Sequence, residues 1–253
     1  MSTTEDETST STATVQTLMS SSSRTRPSPV NPNAHSNQAF RSALAPFLQN
    51  PTIPPCLRIT DRTILIRDKY PKARIHYLLL PRNQTLTLHH PLTVLSDPVI
   101  RDDLRADVDA AISMAQNELR RAAVVGMGGV ERVEVRAGIH ARPSLSNLHI
   151  HIISQDFRSP ALKNAKHYLS FTMPFFIPFD SIPSLKLYDH DTGGVDEERV
   201  EREVRVREEG LRRGELRCVR CGEEFGRRFV GLKRHLEGCA GRTDVAKGSG
   251  GGS

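Results

Sequence analysis

The sequence predicts an α+β fold, a mostly antiparallel sheet with helices packed on it, followed by a small C-terminal zinc finger. Three observations carry that prediction. Strand-length runs between Leu57 and Leu80, and between Glu131 and Ile153, alternate apolar with polar residues or are rich in β-branched ones. Between them, Leu104, Val108, Ile112, Ala115 and Leu119 form one stripe at helical period. Near the C-terminus, Cys218-x2-Cys221 and His235-x3-Cys239 have the spacing of a tetrahedral metal site.

Taken in chain order, residues 1–36 are rich in Ser and Thr and lack apolar periodicity. They are expected to form a disordered tail, because they cannot bury enough surface to offset ordering entropy. Phe40, Leu44, Phe47 and Leu48 predict a short amphipathic helix between Asn37 and Asn50, which Pro46 interrupts or brings to its last turn. Strands are expected at Leu57–Thr60, Thr63–Asp68 and Ala73–Leu80, the last stopped by Pro81. The helix Arg101–Val125 follows, and Gly126–Gly129 turns it into the strand Glu131–Ile139, with Val133, Val135, Ala137 and Ile139 on one face. A strand over Asn147–Ile153 comes next. Residues 157–190, with Pro160, Pro174, Pro178 and Pro183, read as loop. Val195–Arg213 reads as a solvated linking helix with Glu201–Arg205, Glu203–Arg207, Glu208–Arg212 and Glu209–Arg213 paired at i, i+4. Gly248–Ser253 reads as an appended flexible linker. The expected organisation is a tail at 1–36, a larger domain at 37–190, a linking helix and finger at 191–241, and a tail at 242–253.

A net charge of +6 and a pI near 9.4 favour a polyanionic partner. Trp is absent, which argues against an aromatic-rich sheet for single strands. No run of about 18 apolar residues offers a membrane span, and the polar, acidic start at Glu5, Asp6 and Glu7 does not read as a secretory signal. Three of the four cysteines cluster with metal-ligand spacing while Cys56 stands apart, a pattern of reducing compartments and not of a disulfide framework.

The stretch Asn147-Leu148-His149-Ile150-His151-Ile152-Ile153 holds the chemistry. In an extended strand, Leu148, Ile150 and Ile152 point to one face; Asn147, His149 and His151 point to the other, with roughly 7 Å per pair of residues. A row of imidazoles is costly in a core unless it has partners. Backbone-satisfied histidines and a His-x-His metal site are the plainer readings, although no Asp, Glu or Cys lies close by in sequence to complete the latter.

The row and its flanks resemble the histidine-triad superfamily of nucleotide hydrolases and transferases, whose motif is His-φ-His-φ-His-φ-φ with φ apolar. Asn147 stands where the first histidine of that motif is usual. His140-x2-Pro143-Ser144 upstream, the segment from Asp68 through Tyr70, Lys72 and Arg74 to Pro81, and Ile153-Ser154-Gln155-Asp156-Phe157 narrow the resemblance to the aprataxin family of DNA-adenylate hydrolases. It covers about residues 39–240.

That resemblance implies that His149 attacks the α-phosphorus of an adenylate to give a nucleotidyl-histidine, which water then opens to release AMP. It implies that His151 donates to the non-bridging oxygens, and that His140 protonates or neutralises the leaving 5′-phosphate. Ser144 would bond the phosphate and Asn147 would orient the row. Asp68 would accept from ribose hydroxyls, Tyr70 would pack on adenine, and Lys72 would hold the nucleotide by its charge; Ile64 and Ile66 are candidates for the adenine pocket. Phe40 matches an aromatic wedge against a terminal base pair, and Lys163 and Lys166 are candidates for DNA phosphates. No catalytic metal is expected.

The finger's four ligands, Cys218, Cys221, His235 and Cys239, leave no open position, which makes its zinc structural. Phe225 and Leu232 stand where such a finger keeps its core, and Arg227, Arg228, Lys233 and Arg234 favour a phosphate backbone. The expected function is removal of AMP from 5′-adenylated ends of nicked duplex DNA, RNA–DNA junctions included, by a nuclear monomer with no membrane association. The stretch before residue 37 does not read as a forkhead-associated module. Two other readings are a small-molecule histidine-triad hydrolase of adenosine phosphoramidates or dinucleotides, and a nonenzymatic zinc-finger DNA-binding protein.

Overall fold

A computed structural model describes residues 38, 40–125, 133–239 and 241. The tails at 1–36 and 242–253, Asn37, the Gly126–Gly129 turn and positions 131–132 of the fourth expected strand lie outside them. In order, the larger domain contains α1 (Ala45–Gln49), β1 (Cys56–Ile59), β2 (Thr63–Arg67), β3 (His76–Pro81), α2 (Pro91–Ser96), α3 (Pro98–Val125), β4 (Val135–His140), β5 (Ile150–Ser154), α4 (Ala165–Thr172) and β6 (Phe176–Pro178). A short hairpin, β7 (Tyr188–Asp189) and β8 (Gly194–Val195), leads to α5 (Glu197–Arg213). The finger consists of β9 (Leu216–Arg217), β10 (Glu224–Gly226) and α6 (Phe229–Gly238). The α+β class and the C-terminal finger are as the sequence predicts.

Strands β1 to β6 form one antiparallel sheet in the order β1-β2-β3-β5-β4-β6, so the histidine strand β5 is interior. One face packs on α3: Leu65, Tyr77, Leu79, Ala137, Ile139, Ile150 and Ile152 meet Leu104, Val108, Ala111 and Ala115. Each such Leu or Ile withdrawn from water contributes roughly 1.5–3 kcal/mol. On the other face, His76, Leu78 and Leu80 alternate along β3, and Leu78 lies opposite His151. Ile64 and Ile66 of β2 belong to this face too, buried under Leu44 with Leu78 and Leu80.

Several elements depart from the sequence expectation for identifiable reasons. The helix expected between Asn37 and Asn50 is interrupted by a turn at 42–44, and Pro46 sits in the first turn of α1, where its missing N–H costs nothing. Helix α3 starts earlier than expected, at Pro98, because the Asp97 carboxylate accepts the Val99 N–H at 2.8 Å and caps it. Helix α2 was not expected; the His90 ring caps it by accepting the Leu92 N–H at 3.2 Å. The 157–190 segment contains α4, capped by Asn164 accepting the His167 N–H at 2.9 Å. Helix α5 is not merely solvated, since Val200, Val204 and Leu211 are buried. Two expected i, i+4 pairs form, Glu203–Arg207 at 3.1 Å and Glu209–Arg213 at 3.2 Å. Glu201 and Glu208 instead converge on Arg142 of the β4–β5 loop, at 3.5 and 3.0 Å. Among the described residues, no helix is long and apolar enough to cross a membrane.

Candidate active site

The strand bearing the histidines is shorter than its alternating pattern implies. The N–H of Leu148 donates to the Thr87 carbonyl at 2.6 Å and not to a neighbouring strand, so the ladder begins at Ile150. Asn147 is buried and its amide donates to the Thr87 hydroxyl at 3.3 Å. The Asn147 carbonyl accepts from Nδ1 of His149 at 2.7 Å. A carbonyl only accepts, so this nitrogen carries the proton and a neutral His149 presents a bare Nε2. The residue at the first motif position thus fixes the tautomer of the next histidine through its backbone.

A second chain of hydrogen bonds runs through His76, to which sequence reasoning assigned no role. The N–H of Lys72 donates to His76 Nδ1 at 3.2 Å, so in the neutral ring Nε2 carries the hydrogen. His76 Nε2 then donates to His151 Nδ1 at 3.0 Å. His151 is left with its proton on Nε2, buried and without a partner. Nε2 of His140 is likewise buried and unpartnered, while the Ser170 backbone works to raise that ring's pKa against its burial. The ring centroid of His151 lies 4.5 Å from that of His140 and 4.9 Å from that of His149. Unmet buried polar atoms are costly, and the free N–H of His151 beside the bare Nε2 of His149 suits an anionic guest.

Burial is the main influence on all four rings. It pushes His76 down to about 4 and His140 to about 3, holds His151 well below the ordinary imidazole value and lowers His149. Mutual repulsion and the Lys72 ammonium add to this for His76, His140 and His151. The cluster is therefore neutral at pH 7 in the free protein. Apolar walls come from Phe171 and Phe176, and Phe176 needs Gly138: a Cβ there would meet the Ile177 carbonyl at 2.5 Å and the Phe176 ring at 2.6 Å. Register is held by buried Asp156, which binds Arg74 at 2.8 Å and the Ser154 hydroxyl, while Ser154 accepts the Ile75 N–H at 3.1 Å. These bonds pin the start of β3, and with it His76, to the end of β5.

The remaining predicted residues form a rim. Asp68 accepts the Tyr70 N–H at 2.6 Å and lies 3.7 Å from His76 Nδ1. Lys72 donates to the Tyr70 carbonyl, and its ammonium is lowered by burial and by nearby Lys163. Lys163 and Lys166 are exposed, as are Tyr70, Phe40 and Ser144. Ser144 makes no hydrogen bond to another described residue. Ile64 and Ile66 are covered core on this side of the sheet. Asp68, His76 and His151 offer ligand atoms within 4.8 Å of one another, a carboxylate that the local sequence did not supply. A cation fits poorly there, because the two rings already share a hydrogen bond and Lys72 bears on both.

Cys218, Cys221, His235 and Cys239 bring four ligand atoms within 4.8 Å of one another. Cys218 and Cys239 Sγ are 3.8 Å apart, the edge of a tetrahedron with Zn–S bonds of roughly 2.3 Å. Cys221 Sγ lies 3.2 Å from His235 Nε2, and Glu223 holds His235 Nδ1 at 3.1 Å, orienting the ring as carboxylates do behind metal-bound histidines. The set fits a structural zinc. Phe225 and Leu232 are buried beneath it, and Arg227, Arg228 and Arg234 are exposed with Lys233 half-buried beside them.

Comparison with known proteins places this geometry in context. Residues 47–167 match the family described as scavenger mRNA decapping enzyme C-terminal binding, and residues 172–241 match a C2HE / C2H2 / C2HC zinc-binding finger. An aprataxin-like protein of Schizosaccharomyces pombe is 32% identical over 81% of this chain and 84% of its own length. One from Saccharomyces cerevisiae is 33% identical over 70% and 83%. Aprataxin of Gallus gallus is 32% identical over 70% of this chain and 48% of its own length. The crystal structure of the aprataxin ortholog Hnt3 in complex with DNA matches with a TM-score of 0.59 at 31% identity, covering 79% of this chain and 94% of that one. Hnt3 in complex with DNA and guanosine matches with a TM-score of 0.54 at 32% identity, over 79% and 94%.

Proposed function

The chain belongs to the aprataxin family, and from that premise we propose that it removes AMP from 5′-adenylated DNA through a covalent histidine intermediate. The observation that carries this reading is the proton placement: bare Nε2 on His149 beside a protonated, partnerless Nε2 on His151. His149 Nε2 bonds to the adenylate phosphorus as the bond from phosphorus to the DNA 5′-phosphate breaks. His151 Nε2–H donates to the non-bridging oxygen on which charge accumulates. In the second step water attacks the same phosphorus, the P–N bond breaks, and AMP leaves with His149 restored.

His140 has a conditional part in this reading. Its Nε2 is buried without a partner, and once the ring charges both nitrogens carry protons, so Nε2 is then a donor to the guest. A bound pyrophosphate linkage supplies the negative charge that raises it, and the leaving phosphate then meets an imidazolium. Asn147, Asp68, Tyr70, Lys72 and Ser144 serve the nucleotide, and no catalytic metal is needed. Nicked duplex DNA, RNA–DNA junctions included, reaches the site along Lys163, Lys166 and the finger's Arg227, Arg228, Lys233 and Arg234, with Phe40 at the terminal base pair. Action in the nucleus, by a monomer, belongs to the same proposal. The relatives solved with DNA support the choice of partner.

The test is AMP release from a 5′-adenylated nicked duplex measured against release from free adenosine phosphoramidate. Strong preference for the duplex is expected. Equal turnover of both would favour a small-molecule hydrolase, and turnover of neither would remove the enzymatic reading.

A further inference from the structure

Helix α4 connects the two halves of the molecule at one turn's spacing. Phe171 is buried, and its ring meets three imidazoles at once: His140 at 4.5 Å, His151 at 5.1 Å and His76 at 5.2 Å, the last two edge-on at 89° and 88°. Three residues earlier, on the same helical face, fully buried Tyr168 turns toward the finger. Its hydroxyl accepts the Val219 N–H at 3.0 Å and donates to the Arg217 carbonyl at 2.9 Å. Val219 lies inside the Cys218–Cys221 knuckle. The residues that continue the histidine strand hold the finger from its other side. Phe157 packs on the Tyr168 ring at 5.0 Å, and Arg158 donates to the carbonyls of Leu236 and Cys239 at 2.7 and 2.9 Å.

We propose that Phe171 is a positioning residue for the imidazole cluster, and that Tyr168 sets its place from the zinc-knuckle backbone, so that the finger's metal supports turnover as well as DNA docking. This rests on the cluster being the catalytic site. The physical argument is one of packing. Ring edges at these distances leave no space for water, and they block rotation of His151 and His76 out of their shared hydrogen bond. A close-packed interior transmits displacement and does not absorb it. The knuckle keeps its fold only with metal bound, so loss of zinc releases both hydrogen bonds to Tyr168 and frees the helix that carries Phe171. The finger is then part of the catalytic unit and not an appended DNA handle.

The experiment compares Tyr168→Phe and Phe171→Leu with the wild-type full chain, zinc-loaded. Zinc content, adenosine phosphoramidate kinetics and imidazole 15N chemical shifts are measured on each. Both variants are expected to keep one zinc per chain and a KM within about three-fold of wild type, while kcat falls about ten-fold or more. The His76 and His151 resonances should move, and chelation of zinc from the wild type should move them the same way. If Tyr168→Phe, which keeps the ring and removes only the hydroxyl, leaves kcat and these resonances unchanged, the tie to the knuckle is overturned. If Phe171→Leu lowers stability without changing either, its positioning role is overturned. The resonances report the coupling whether or not the protein turns over either substrate, so failure of this proposal is separable from failure of the proposed reaction.

Discussion

The neutral, buried His76 makes a quantitative prediction about acid. Its folded-state value is about 4, against about 6.5 in an unfolded chain. Between those two pH values the unfolded state binds a proton that the folded state refuses, so stability falls as pH falls through this window and is unaffected by this ring above it. At pH 5 the deficit is about 2 kcal/mol relative to pH 7.5, a sizeable share of the 5–15 kcal/mol that typically holds a protein folded. The measurement is urea unfolding of wild type and His76→Gln at pH 7.5 and pH 5. The variant lacks the titrating group, and changes common to both proteins, such as zinc loss from the finger in acid, cancel in the difference. Wild type should be the more stable at pH 7.5, because the amide fills the close-packed imidazole site less well, and the gap should narrow by about 2 kcal/mol at pH 5. An unchanged gap would mean that His76 is not held neutral, and the His151 tautomer derived from it would be wrong.

Four further outcomes are expected. His149→Ala should abolish AMP release and leave DNA affinity nearly intact, since affinity comes mainly from binding to phosphates; turnover quenched in alkaline denaturant, which spares the P–N bond, should trap AMP on His149, and AMP on a lysine instead would indicate different chemistry. Asn147→His should keep activity within about ten-fold, because the tautomer of His149 is set by the backbone carbonyl at that position; inactivity in a folded variant would give the Asn147 side chain a role of its own. Gly138→Ala should cost about 1–3 kcal/mol in unfolding experiments, from the clash with Phe176 and the Ile177 carbonyl. Arg227→Ala with Lys233→Ala should keep zinc and reduce the slope of log K against log salt for duplex DNA by roughly 2, about 0.9 for each phosphate no longer neutralised; an unchanged slope would take these residues off the DNA.

The sequence by itself determined the class of the fold, the helix α3 stripe, the positions of β1 to β5 to within a few residues, and the four clustered finger residues that fit a zinc. These rest on local periodicity and spacing, which persist whatever the chain packs against. The motif of His149 and His151 was legible for the same reason. What only the tertiary structure decided is how those histidines are protonated. His76 belongs to no local sequence pattern, and only the pairing of β3 with β5 sets it against His151. Thr87, Phe171 and Tyr168 carried no pattern, because each acts through a partner far away in sequence. The 157–190 segment misled for a related reason: its prolines punctuate the ends of α4 and β6, while the capping of α4 by Asn164 is a single residue's work. Helix α5 looked solvated because its charges outnumber its few apolar residues, yet Arg142 draws Glu201 and Glu208 onto the body of the domain. Periodicity records which face of an element is buried, whereas proton placement depends on which two groups lie within 3 Å, and only the packed chain sets that distance.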